Sequence, residues 1–155
     1  MKTLLTAAVL LVLTGCSAIA DTDRASSPLQ ITALVPSYDS ATGAVDLSIN
    51  FTNISRVDMK FVQIEIAPFD GGGRRITSGD AGGLGILKLS GPFKSGEKVG
   101  PLVSKNLWFS SDIRCLEVVE VTTSGLDYST TVTTGAQANS LVAANTRRIC
   151  ATATE

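Results

Sequence analysis

The sequence predicts an all-β chain folded as an antiparallel β-sandwich of about seven strands, and three observations carry that prediction. Apolar residues recur with a period of two rather than 3.6 through most of 29–134. Polar clusters of Gly, Asp, Ser and Asn separate these runs at close spacing. No segment before residue 135 holds a helical period long enough for a long helix.

Leu29, Ile31, Ala33 and Val35 alternate with Gln30, Thr32 and Leu34, which predicts a first strand ended by Pro36 and Ser37. Asp39-Ser40-Ala41-Thr42-Gly43 forms the next turn. Val45, Leu47, Ile49 and Phe51 alternate with Asp46, Ser48, Asn50 and Thr52 in the cleanest half-buried strand, and Asn53-Ile54-Ser55-Arg56 breaks it. A third strand spans 59–69. Val62, Ile64 and Ile66 share one face, and Pro68 marks its end or an edge. Asp70, Gly71, Gly72, Gly73, Arg74 and Arg75 then read as a mobile turn.

Further strands are expected at 86–89, 99–109, 114–123 and 128–134, the last being rich in β-branched residues. In 114–123 the alternation slips at Val119-Glu120, so a β-bulge there would set Leu116, Val118 and Val121 on one face. The alanines of 136–145 permit a short helix. The chain therefore divides into a leader (1–15), a polar tether (16–28), the sandwich (29–134) and a C-terminal segment (135–155) packed on it.

Composition narrows the function. Lys and Arg total 13 and Asp and Glu 14, a net charge of −1. Nucleic acid is therefore not an expected partner, since holding it calls for a basic face. The absence of histidine removes the Ser-His-Asp triad, the Cys-His dyad and His-ligated zinc. The glycine-rich stretches 70–73 and 79–85 lack the Lys-Ser/Thr of a P-loop. Nothing aims Glu65 and Glu117 at one cleft, as a glycosidase would need. In Ser104-Lys105 and Lys94-Ser95 neighbouring side chains point to opposite faces. Neither an enzyme activity nor a cofactor nor a metal site is expected.

The leader is more informative. Met1-Lys2-Thr3 precedes about ten largely apolar residues, the layout of a signal peptide and too short for a permanent span. It closes on Leu13-Thr14-Gly15-Cys16, which resembles the bacterial lipobox. The resemblance implies lipid on the Cys16 thiol, cleavage before it, and membrane attachment. Ser17, rather than Asp, after the cysteine implies the outer membrane in a diderm cell. Two other readings stand beside it: cleavage after Ala18-Ile19-Ala20, and an uncleaved anchor. With Cys16 lipidated, Cys115 and Cys150 remain, and an exported chain reads them as one disulfide. A reducing compartment would instead leave two free thiols. The bond would stabilise the fold by about 3–4 kcal/mol in the chain-entropy picture.

Three stretches carry a family likeness. They are Asn53-Ile54-Ser55 leading to Lys60-Phe61-Val62 and Ala67-Pro68-Phe69-Asp70; Gly91-Pro92-Phe93; and Asn106-Leu107-Trp108-Phe109-Ser110 with Ile113-Arg114-Cys115-Leu116. In this order they resemble small exported immunoglobulin-like domains of bacteria related to the FxLYD type. The likeness covers about 45–123 and departs after Thr123. It implies an immunoglobulin-like sandwich and an extracytoplasmic setting, and it transfers no catalytic residue.

The expected function is thus a non-enzymatic, lipid-anchored envelope module that binds an envelope protein partner or supports an envelope assembly. A periplasmic inhibitor presenting loop 70–85 to a hydrolase is the alternative, with an enzyme of unknown type third. Gly71, Gly72, Gly73, Arg74, Arg75 and Trp108 are the candidate interaction residues. Trp108, the single tryptophan, reads first as a packing residue and second as a ligand platform.

Overall fold

The computed structural model describes residues 28–77, 80–147 and 150. The leader, Cys16, most of the tether and Arg148 lie outside the described residues. Seven strands appear in order: β1 (Leu29–Asp39), β2 (Ala44–Asn53), β3 (Met59–Phe69), β4 (Gly85–Phe93), β5 (Lys98–Trp108), β6 (Cys115–Gly125) and β7 (Thr130–Thr134). A single helical turn of 3-10 type (Asp80–Gly83) precedes β4, and the helix α1 (Gly135–Ser140) follows β7. The strands form two antiparallel sheets, β1-β2-β5 and β4-β3-β6-β7. The architecture is an all-β, immunoglobulin-like sandwich.

The period-two pattern places the core. Val45, Leu47, Ile49 and Phe51 of β2 and Val62, Ile64 and Ile66 of β3 are all buried, each strand turning alternate residues toward the other sheet. Phe51 meets Phe93 edge-on, with ring centroids 5.2 Å apart. The phase slip in β6 is a bulge: Glu65 pairs with Glu120 but Ile66 with Val118, leaving Val119 as the extra residue. Leu116, Val118 and Val121 consequently all face inward.

Four local expectations need correction. β1 does not stop at Pro36, which pairs with Leu47 while the strand runs on to Asp39. An edge strand tolerates a missing N–H on its open side. A bulge at Thr32 also reverses the face of β1, so that Leu34 packs against the core and Val35 is 54% exposed. β4 starts at Gly85 and extends to Phe93, well past the expected 86–89. The helix ends at Ser140 rather than Asn145, because the backbone beyond it is engaged by β1. Ile31 N donates to the Leu141 carbonyl (2.9 Å) and Ala143 N to the Ile31 carbonyl (2.8 Å). Leu141, Val142 and Ala138 thereby close the side of the sandwich and cover the β1 edge.

Pro68 shows why a proline fits within an inner strand. The last β3·β4 pair is Ile66 with Gly85, so β4 has already left at Pro68. The Pro68 carbonyl points to the vacated side, where it accepts from Ile76 N at 2.9 Å. Its missing N–H lies on the same side, while β6 still pairs the strand through Phe69.

Cys115, at the start of β6, is joined to Cys150, with Cα atoms 5.6 Å apart. The bond ties the end of the C-terminal segment back to the strand it crossed.

Candidate functional site

The antiparallel strands sort the loops onto two ends, about 30 Å apart for strands of this length. Pro28 enters at one end, where its carbonyl accepts from Ile54 N (3.0 Å) and Ser55 N (3.1 Å). Loops 54–58, 94–97 and 126–129 share that leading end. Loops 40–43, 70–84 and 109–114 lie at the far end, together with the disulfide.

Most of the sequence-nominated interaction residues stand at the far end. Asp70 organises the turn that holds them. Its Oδ1 accepts from Gly72 N (2.8 Å) and Arg74 N (2.9 Å), and its Oδ2 from Arg74 Nε (3.0 Å). The backbone N–H of Arg74, then that of Gly72 and the Arg74 side chain, hold the Asp70 carboxyl below its ordinary range. Asp70 N donates to the Arg74 carbonyl, and Arg75 bridges Phe69. The expected mobile turn is therefore a hydrogen-bonded one, with Gly71, Gly72, Arg74 and Arg75 exposed on it. Arg114 joins this surface. Its N–H donates to the Phe69 carbonyl (2.8 Å), and a Cβ on Gly71 would lie 3.7 Å from Arg114 Cγ.

Trp108 occupies a different place. It is 5% exposed, and its Nε1–H donates to the Gly83 carbonyl at 2.8 Å. The indole lies so close over Gly85 that a Cβ there would overlap it. Gly83 adopts φ +78°, and a side chain there would strike the Ile76 carbonyl. The glycines at 83 and 85 therefore seat a tryptophan, which makes the end of loop 70–85 part of the core. Phe109, the next residue, is 70% exposed at the far end. The alternation across a strand supplies the signal for it, because a buried Trp108 puts its neighbour outside.

Beside this rim lies a cleft of about 350 Å³ between β1, the start of β6 and the C-terminal segment. Arg114 and Arg147 line it, with Cys115, and among the described residues no carboxylate does. Arg147 is steadied by the carbonyls of Val142 and Ser140, and Arg114 by those of Ser111 and Ile113.

The residues weighed for catalysis have other occupations. Lys105 Nζ lies 2.9 Å from Asp46 Oδ2, a partnership that raises the lysine pKa and keeps it charged. A lysine base requires the opposite shift. Ser95 Oγ donates to the Ser55 carbonyl. Glu65 faces Glu120 across the outer side of a sheet, away from that cleft. Among the described residues no three Cys, Asp or Glu side chains gather as metal donors.

The leading end is built on Asn53, which the sequence marked as a strand breaker and as part of the family likeness but not as a buried anchor. Asn53 sits at the next inward position after Phe51 and is fully buried. Its Nδ2 donates to the carbonyls of Val57 (2.9 Å) and Phe93 (3.0 Å). Its Oδ1 accepts from the Ser55 N–H (3.0 Å) and hydroxyl (2.6 Å). The phase of β2 was the available signal: a polar side chain at an inward position must find partners inside.

No protein-family model, curated protein or solved structure matches this chain.

Proposed function

We propose that the protein is a non-enzymatic, lipid-anchored module of the bacterial cell envelope, held at the outer membrane in a diderm cell, which presents its far rim to an acidic protein partner. One observation carries this reading. The chain enters the fold at Pro28, while Arg74, Arg75, Arg114 and Phe109 stand at the opposite end. An anchor on Cys16 would leave that rim facing away from the lipid. Its chemistry suits recognition, with arginines for carboxylates around an exposed aromatic ring. The likeness to exported immunoglobulin-like domains agrees with such a role. A hydrolase inhibitor presenting loop 70–85 could not offer Gly83 and Gly85, which are buried beneath Trp108.

Crosslinking in intact cells followed by affinity capture tests the reading. One envelope protein should be enriched with the wild type. The triple variant Arg74→Glu, Arg75→Glu, Phe109→Ser should lose it at least tenfold, with a melting temperature within about 2 °C of wild type. Capture undiminished by the variant would refute the rim as the binding surface.

A further inference from the structure

The far rim leaves the leading end unexplained, although it too is unusual. Two neighbouring loops there carry Ile54, Val57, Leu126 and Tyr128, all more than half exposed. They are not ragged tips. Loop 54–58 is fastened from within by Asn53, and Ser95 N donates to Asp58 Oδ1 at 2.9 Å. Turn 126–129 is closed by Ser129, whose N–H and hydroxyl donate to Asp127 Oδ1. The loops approach each other where Lys60 Nζ stands 4.0 Å from the centre of the Tyr128 ring. Arg56, Val57 and Leu126, together with the hydrogen-bonded Asp58 and Asp127, also line a shared cleft of about 400 Å³.

The charges at this end are unevenly committed. Asp58, Glu97 and Asp127 accept hydrogen bonds from the protein's own N–H and hydroxyl groups. Among the described residues Arg56, Lys60, Lys94 and Lys98 form no salt bridge. A set of apolar and aromatic side chains, with Arg56, Lys94 and Lys98 outside any described salt bridge and Lys60 held over the Tyr128 ring, fits an anionic lipid interface. There the apolar tips enter the headgroup layer and the cations meet phosphates. The fixed loops have little conformational freedom left to lose on docking.

Position selects the occupant. The twelve links from Cys16 to Pro28 span at most about 40 Å, and they enter the fold at this end. Building on the lipid-anchor reading, we infer that the leading end docks directly on the membrane, with Ile54, Val57, Leu126 and Tyr128 as its contact and Arg56 and Lys60 as phosphate ligands. The lipid would then fix the orientation of the domain as well as its location, pointing the far rim outward.

The test uses the full lipidated protein in vesicles of phosphatidylethanolamine and phosphatidylglycerol. An environment-sensitive fluorophore is placed on Leu126→Cys or, as the far-end control, on Phe109→Cys. Brominated lipids should quench the probe at 126 at least twofold more than the probe at 109. Arg56→Glu with Lys60→Glu should reduce that quenching, and at unchanged melting temperature the loss reports docking rather than folding. Protein that floats with vesicles while both probes remain in water overturns the docking and spares the anchor. Quenching unchanged by the charge variant overturns the phosphate contacts. Protein without acyl mass on Cys16 that fails to float removes the anchor reading, and the docking falls with it.

Discussion

The two ends of the sandwich are stabilised by opposite means. At the leading end one buried amide, Asn53, serves the loop before β3 and the end of β4. Its backbone does the same for the loop before β5, donating to the Glu97 carbonyl and accepting from Gly96 N. At the far end a half-buried carboxylate, Asp70, orders only its own turn, and a disulfide ties the C-terminal segment to β6. Desolvation explains the contrast. A buried amide has no water to fall back on, so each partner it loses carries a penalty. An aspartate at the surface, its partners all within one turn, keeps some access to water and loses less when a partner goes. The leading end is therefore fixed from inside with its apolar residues left outside, whereas the far end is pinned covalently beneath arginines that remain accessible.

The largest test of this contrast removes the covalent pin. Cys115→Ala with Cys150→Ala should lower stability by about 3–4 kcal/mol, read as a shifted denaturation midpoint. Amide exchange should rise first at Thr146 and Arg147, which close the C-terminal segment ahead of Cys150, while Asn53 and Gly96 stay protected. Equal loss at both sets of amides would mean that the ends are not separate units.

A smaller effect is expected from Asn53→Ala, about 2 kcal/mol, because the carbonyls of Val57 and Phe93 lose their donor inside the protein. The loops carrying Ile54 and Val57 should loosen, and the Asp70 turn should not. A stability equal to wild type would show that water replaces the amide.

Asp70→Asn should be the mildest change, leaving the melting temperature within about 2 °C. Its signature is in the pH dependence. The folded-state pKa lies below the ordinary 3.8, so the carboxylate contribution is complete above that value and fades as pH falls through the lower folded one. Protection of the Gly72 and Arg74 amides in the wild type should be flat near neutrality and decline only at acid pH. Decline already between pH 5 and 7 would assign the turn to another group.

Much of the fold was legible because strand patterning is local. The alternation of 45–51 and 62–66 marked the core faces, and the slip at Val119 marked a bulge, since each inward residue reports its own burial. The pairing of Cys115 with Cys150 followed from cysteine number together with the expectation of an exported chain. β1 misled because a single extra residue at Thr32 reverses all that follows it, and the sequence there shows no break in hydrophobicity. The helix misled because alanine content speaks to propensity, whereas the β1 edge claimed the backbone beyond Ser140.

The site was harder to read for a related reason. Arg74 and Arg75 were recognisable as exposed, but the nominated tryptophan is internal and the exposed ring is its neighbour Phe109. Sequence by itself determined the sandwich class, the inward faces of the central strands, the disulfide partners and the lipobox-like Leu13-Thr14-Gly15-Cys16 motif, all properties of nearest neighbours or of counting. Only the tertiary structure decided that Asn53 would join separate loops, that Gly83 and Gly85 would seat Trp108, and that Pro28 would lie opposite the arginine rim. Those relations join residues distant along the chain, and they arise only when two sheets close on one core and leave each buried polar group to find its partner across it.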